Sequence, residues 1–132
     1  MAKRKHKIIE TEDAPQPIGP YSAGVIAGKW IFTAGQIGID PQTGEIVEGG
    51  IEAETRQVLT NIRNILEAAG SSLKQVAKTT VFLREMDEFA RMNQIYAEFF
   101  DKDYPARSTV QAAALPKGAA VEIEAVAVVS EK

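Results

Sequence analysis

The sequence predicts an α+β fold, a mixed sheet of about six strands with two helices on one face, formed by a single domain over residues 1–132. Three observations predict it. Short runs near both ends alternate apolar and polar residues, the period of a half-buried strand. Over Ile51, Val58, Ile62, Ile65, Leu66 and Ala69 the apolar spacing lengthens to that of a helix, and it does so again over Phe89, Met92, Tyr96 and Phe100. The elements then run strand, hairpin, helix, strand, helix and two strands, and two helices can cover only one face of such a sheet.

Residues 1–6, with the cationic run Lys3-Arg4-Lys5-His6-Lys7, read as a mobile, solvated leader into a first strand, Lys7–Glu10. Thr11–Pro20 holds three prolines and little regular structure, so stiff backbone sets Tyr21 at a strand entrance; spacing alone makes Tyr21 a packing residue. Ser22–Ala27 and Trp30–Ala34 form a hairpin turning at Gly28-Lys29. Gly35 and Gly38 mark either sheet curvature or close backbone approach, the latter leaving N–H groups for an oxyanion. Asp40-Pro41-Gln42-Thr43-Gly44 is a turn, too poor in carboxylates to be a Ca²⁺ loop. The first helix spans Ile51–Ala69, with Glu52 and Glu54 favouring its N-terminal dipole and Gly70 closing it. Val76–Leu83 is a strand, and Asp87 is placed to cap the second helix. The aromatic stripe of that helix reads as core. Asn93 is the exception, a polar amide that must brace a loop or face a ligand across an interface.

The richest chemistry lies in Tyr104–Val128, two strands joined by Leu115-Pro116-Lys117-Gly118. In the first, Arg107, Thr109 and Gln111 share one face; in the second, Glu122 and Glu124 point opposite to Val121 and Ile123. If the two runs pair or lie close in one sheet, a permanent cation and a carboxylate can share a face. Arg107 is then either a solvated surface charge or an anion clamp; its small neighbours Ala106, Val110 and Ala112 offer no acidic partner. Glu122 is either the polar face of an edge strand or a partly desolvated group that directs a water.

Composition narrows the classes. There is no cysteine, so disulfides, thiolate metal sites and a thiol nucleophile are excluded. The single histidine, His6, leaves no basis for a histidine-based triad or a multi-histidine metal site. With a formal charge of −3 there is no positive field to gather nucleic acid, and no apolar run reaches membrane-span length. A soluble, cytoplasmic protein is expected. Val126, Val128 and Val129 place apolar side chains on both sides of the last strand. A lone chain would leave that second face bare, so a homo-oligomer is expected.

Pro105-Ala106-Arg107-Ser108, followed by Glu122-Ile123-Glu124-Ala125, resembles the C-terminal signature of the Rid (YjgF) family of imine deaminases. Ile18-Gly19-Pro20-Tyr21 and the Asn93-x-x-Tyr96-x-x-Phe99-Phe100 helix resemble the same family, so that the likeness covers nearly the whole chain. The resemblance implies a chorismate-mutase-like subunit, assembled as a trimer with three pockets between subunits and no cofactor or metal. It implies hydrolysis of 2-imino acids, such as 2-iminobutanoate, 2-iminopropanoate and the tautomers of 2-aminoacrylate, to 2-keto acids and ammonia. Arg107, Glu122 and Tyr21 carry the catalytic roles; Arg107, Gly35 and Thr109 hold the substrate carboxylate, while Asn93 and Phe89 line the pocket from a neighbouring chain. Two positions depart from the family pattern: Ala34 stands where Ser is common, and Thr109 where many relatives carry Cys. Two alternatives stay open. One is a non-catalytic binder of small keto or amino acids; the other is an endoribonuclease, which the acidic charge balance opposes.

Overall fold

The computed structural model describes residues 5–130, so residues 1–4 of the expected leader lie outside it, and Lys5 and His6 are exposed. Six strands and two helices follow in the order β1 (Lys7–Ile9), β2 (Gly24–Ala27), β3 (Trp30–Thr33), α1 (Gly50–Ala68), β4 (Val76–Leu83), α2 (Phe89–Phe100), β5 (Ala106–Gln111) and β6 (Val121–Val128). One sheet holds all the strands in the order β1-β2-β3-β6-β4-β5. Every neighbouring pair is antiparallel except β4 and β5, which run parallel and are joined by α2, the crossover that such a pair requires. The α+β expectation of a mixed sheet with two helices therefore holds.

α1 forms because its apolar residues recur on one stripe, and Ile51, Val58, Leu59, Ile62, Ile65 and Leu66 are all buried. They pack on the face of β6 that carries Val121, Ile123, Ala125 and Ala127, and on Ile31 and Val81 beside it. The helix stops where predicted: Gly70 adopts φ 77°, and its N–H donates to the Glu67 carbonyl at 3.0 Å. The Asp40–Gly44 turn also forms as read, with the Gln42 N–H donating to Asp40 Oδ1 at 2.8 Å and Gly44 at φ 76°.

Two local expectations are corrected, and the turn read at Leu115-Pro116-Lys117-Gly118 forms. Asp87 does not cap α2: a single 3₁₀ turn, Met86–Glu88, leads into the helix, and Glu88 takes the N-cap position without a side-chain capping bond. Glu54 is not a solvated first-turn charge, because it is buried and its Oε1 accepts the Ala120 N–H at 2.8 Å. Residues 116–118 form a 3₁₀ turn in which Lys117 holds φ 57°, braced by Arg84 Nη1 donating to the Gly118 carbonyl at 2.8 Å.

The far face of the sheet is uncovered. Register places Ile8, Val25, Phe32 and Val126 in one cross-strand row and Trp30 beside Val128. Phe82 and Val110 continue the same face. Trp30 remains 46% exposed, Phe32 44% and Val110 45%, an apolar surface of the kind soluble chains bury against a partner. Among the described residues no helix is long and apolar enough to cross a membrane.

Leu59, fully buried between α1 and the sheet, tests the core. Leu59→Ala is expected to lower unfolding free energy by about 2–5 kcal/mol in urea titrations.

Candidate active site

The pleat of the sheet decides which side chains can meet. Arg107 on β5 lies opposite Thr79 of β4, and Thr79 lies opposite Ala125 of β6, on the helix-covered face. Glu122 lies opposite Phe82, three positions further along β4, and Phe82 lies opposite Val110 on the uncovered face. An odd separation along one strand means opposite faces. The C-terminal strands thus do not pair, since β4 sits between them, and within one chain Arg107 and Glu122 do not share a face. The expected residues fall instead into two clusters.

The first surrounds Arg107. Its guanidinium carbon lies 4.8 Å from the ring centre of Tyr96 and 5.4 Å from that of Phe89, two cation–π contacts that hold a planar cation in place. α2 supplies both rings because Phe89 and Tyr96 are two helical turns apart on one stripe. Tyr96 is fixed in turn by a 2.7 Å hydrogen bond between its hydroxyl and Thr79 Oγ1, and burial pushes its phenol above the usual range. A cleft of about 450 Å³ opens here, lined by Asn93, Tyr96, Ala97, Tyr104, Pro105 and Arg107. Among the described residues Arg107 makes no salt bridge. Asn93 Oδ1 and Thr109 Oγ1 are buried without a hydrogen-bond partner, each a deficit of about 1–3 kcal/mol until something supplies one. A fixed cation beside unfilled polar groups is an arrangement that captures a small carboxylate in a bidentate contact.

The second cluster lies across β6. The chain leaves β3 through Ala34-Gly35-Gln36 and rejoins β6, where the Gln36 N–H donates to the Ile123 carbonyl at 2.8 Å and the Ile123 N–H donates back at 3.1 Å. The Ala34 N–H is taken by the Ala23 carbonyl at 2.8 Å. Between them the Gly35 N–H has no acceptor among the described residues. Glu122 lies directly over Gly35, so that a β-carbon at residue 35 would fall on Glu122 Oε2. Of the two readings of Gly35, close approach is the one observed. Burial, and then the neighbouring Glu124, raises the Glu122 carboxyl above the ordinary carboxylate range. Tyr21 completes the cluster, half-exposed at 51% and set by a tight turn in which its N–H donates to the Gly19 carbonyl at 2.9 Å. These residues border a cleft of about 630 Å³ whose apolar walls include Pro17, Ile18, Ile37 and Ile39.

The structure thus brings Arg107, Thr109, Asn93 and Phe89 together on one chain, and Tyr21, Gly35 and Glu122 together elsewhere on it. This corrects the expected division, in which Asn93 and Phe89 came from a different chain than Arg107. Tyr96 is buried at 4% exposure in the core, as read, and its contact with Arg107 is a second role that sequence reasoning missed; its signal was the three-residue step from Asn93, which puts both on the side of α2 that meets β5.

The chain is thus a six-stranded α+β domain with an unpaired cation cradle on one edge of the sheet and a partly desolvated carboxylate over a glycine elsewhere. The Endoribonuclease L-PSP family profile matches residues 11–129, and the chain belongs to that family, also known as Rid or YjgF. It is 57% identical over 121 residues to a RutC family protein of Pyrococcus horikoshii, covering 92% of this chain and 96% of that one. It is 45% identical over 128 residues to the human 2-iminobutanoate/2-iminopropanoate deaminase, covering 97% of this chain and 93% of the relative. The solved structure of E. coli TdcF with bound serine superposes with a TM-score of 0.90 at 48% identity, covering 94% of this chain and 99% of that one.

Gly35→Ala, which sets a methyl group against the Glu122 carboxylate, should lower stability by about 1–3 kcal/mol in urea unfolding. Pairing it with Glu122→Ala should recover most of that loss in a double-mutant cycle.

Proposed function

We propose that this protein hydrolyses small 2-imino acids to 2-keto acids and ammonia, in sites built between copies of the chain arranged as a ring of three. The observation that carries the reading is the separation of two incomplete clusters on one chain: a cation with unfilled polar neighbours, and a raised carboxyl beside a free N–H. Each supplies what the other lacks. The name of the human relative supports the reaction. The apolar face holding Trp30, Phe32 and Val110 supports assembly, and head-to-tail contacts between unlike surfaces close into rings.

In this reading Arg107 of one chain grips the substrate carboxylate, with the Thr109 hydroxyl and the Asn93 amide beside it. Across the boundary, the Gly35 N–H of the next chain fixes the second carboxylate edge or the developing oxygen, and Glu122 faces a water. Ionised Glu122 takes a proton from that water as its oxygen bonds to the imine carbon, and the C=N π pair moves to nitrogen. Protonated Glu122 returns that proton to the carbinolamine nitrogen and then takes the hydroxyl proton as the C–N bond breaks, so that the O–H pair becomes the carbonyl π bond and the 2-keto acid and ammonia leave, ammonia taking up the proton from Glu122. Tyr21 hydrogen-bonds the water or the departing nitrogen. Protonated imines are already electrophilic, so orientation and electrostatics suffice and neither thiol nor histidine is needed. The family's name also raises RNA cleavage. Glu122 and Glu124 repel phosphate, and His6 is the only histidine, so the geometry favours the imine reaction.

With 2-iminopropanoate generated in situ and semicarbazide as the competing trap, the protein should divert imine to pyruvate. Arg107→Ala should abolish that diversion while leaving the circular dichroism spectrum intact. Arg107→Ala and Glu122→Gln chains, each inactive alone, should recover activity when unfolded and reassembled together at equal amounts, with about one boundary in four intact by random mixing; no recovery in the mixture would place the whole site in one chain. Glu122 works ionised and its carboxyl titrates above the ordinary range, so kcat/KM should climb with pH through that raised value. Glu122→Gln should erase this limb and lower the rate by about 10²-fold or more.

A further inference from the structure

Helix α1 carries three buried polar residues, Glu54, Thr55 and Asn61, with the part-buried Gln57 one turn before Asn61. Asn61 is fully buried, and its Nδ2 donates to the Ile39 carbonyl at 2.9 Å and, more weakly, to the Ile37 carbonyl at 3.5 Å. Its Oδ1 accepts from Gln57 Nε2 at 2.9 Å, which fixes the orientation of the amide. One turn earlier Glu54, 7% exposed, accepts the Ala120 N–H at 2.8 Å. Gly38 packs against the same residue so closely that a β-carbon there would lie 3.0 Å from the Glu54 Cα. The helix therefore grips two segments at once: residues 37–39, which follow Gly35 and Gln36, and Ala120, two residues before Glu122.

Buried polar side chains lower stability unless they are hydrogen-bonded, and a buried charged or amide group contributes little net stability over an apolar residue of similar volume. Apart from the Gln57–Asn61 pair, these bonds end on main-chain groups beside the cluster of Gly35 and Glu122. Ile39 is bridged to Ile46, the Gly38 carbonyl accepts the Val47 N–H at 2.9 Å and the Ala120 carbonyl accepts the Arg84 N–H at 3.0 Å, so the groups left to the helix are the Ile39 carbonyl and the Ala120 N–H. We propose that Glu54 and Asn61 are positioning residues for the imine-hydrolysing site: together they fix the spacing between the Gly35 N–H and the Glu122 carboxylate from behind. This rests on the proposed reaction for its kinetic test, though not for its spectroscopic one. Glu54 fixes the strand that carries the carboxylate, so its loss bears on kcat. Asn61 fixes the segment that carries the free N–H, so its loss bears on KM.

The test follows Glu122 directly. In protein labelled with ¹³C at glutamate side-chain carboxyls, the Glu122 resonance should titrate above the ordinary range in the wild type and in Glu54→Gln, which keeps the acceptor for Ala120. In Glu54→Ala it should move back toward the ordinary range as water reaches a loosened carboxylate. In the imine assay Glu54→Ala should lose on the order of tenfold or more in kcat with KM within about twofold, and Asn61→Ser should raise KM by several-fold. Glu54→Gln should restore kcat. If Glu54→Ala does not fold, Gln57→Leu, which frees Asn61 without removing it, should show a smaller KM rise of the same sign. Folded variants with an unmoved Glu122 titration and wild-type kcat and KM would overturn the proposal. A wild type with no imine turnover would instead overturn the assigned reaction, leaving the titration comparison to decide the positioning role.

Discussion

The placement of β4 between β5 and β6 is the constraint on which the site depends. Because side chains alternate across a pleated strand, the odd offset between Thr79 and Phe82 fixes Arg107 and Glu122 on opposite faces. No rotamer change brings them together. A chain with this register can own a cation cradle and a carboxylate wall, and it cannot use both on one small molecule unless another copy supplies the complement. The bare apolar face is the thermodynamic counterpart: burying aromatic and branched side chains left about half-exposed is the dominant favourable term in association.

Within each cluster the polar groups are held by stiff surroundings. Two aromatic rings hold the Arg107 guanidinium, and a hydroxyl pair holds the nearer ring. Glu122 is held between the turn at Gly35 and the strand itself. Preorganisation of this kind matters more for a reaction whose substrate is already reactive than any strong nucleophile does.

Much of the fold was legible because its signals are local. The stripe of α1, the stop at Gly70 and the Asp40 turn follow from residues within a few positions of one another, and each forms as read. The two C-terminal strands were legible as strands but not as non-neighbours: insertion of β4 between them is a long-range pairing, and nothing in alternation alone reports it. The same limit explains the shared face expected for Arg107 and Glu122. Glu54 was misread because a carboxylate in a first turn normally serves the helix dipole, and only tertiary packing brings the Ala120 N–H to it. Asp87 was misread because the 3₁₀ turn shifts the helix start by one residue. The role of Tyr96 beside Arg107 was hidden because Tyr96 is also a core residue, on one stripe with Met92 and Phe100.

The contact between Glu122 and Gly35 also gives the carboxylate a direction. Main chain fills the space behind Oε2, leaving no room there for solvent. In the proposed reaction, protons therefore reach Oε2 from the side that faces the cleft.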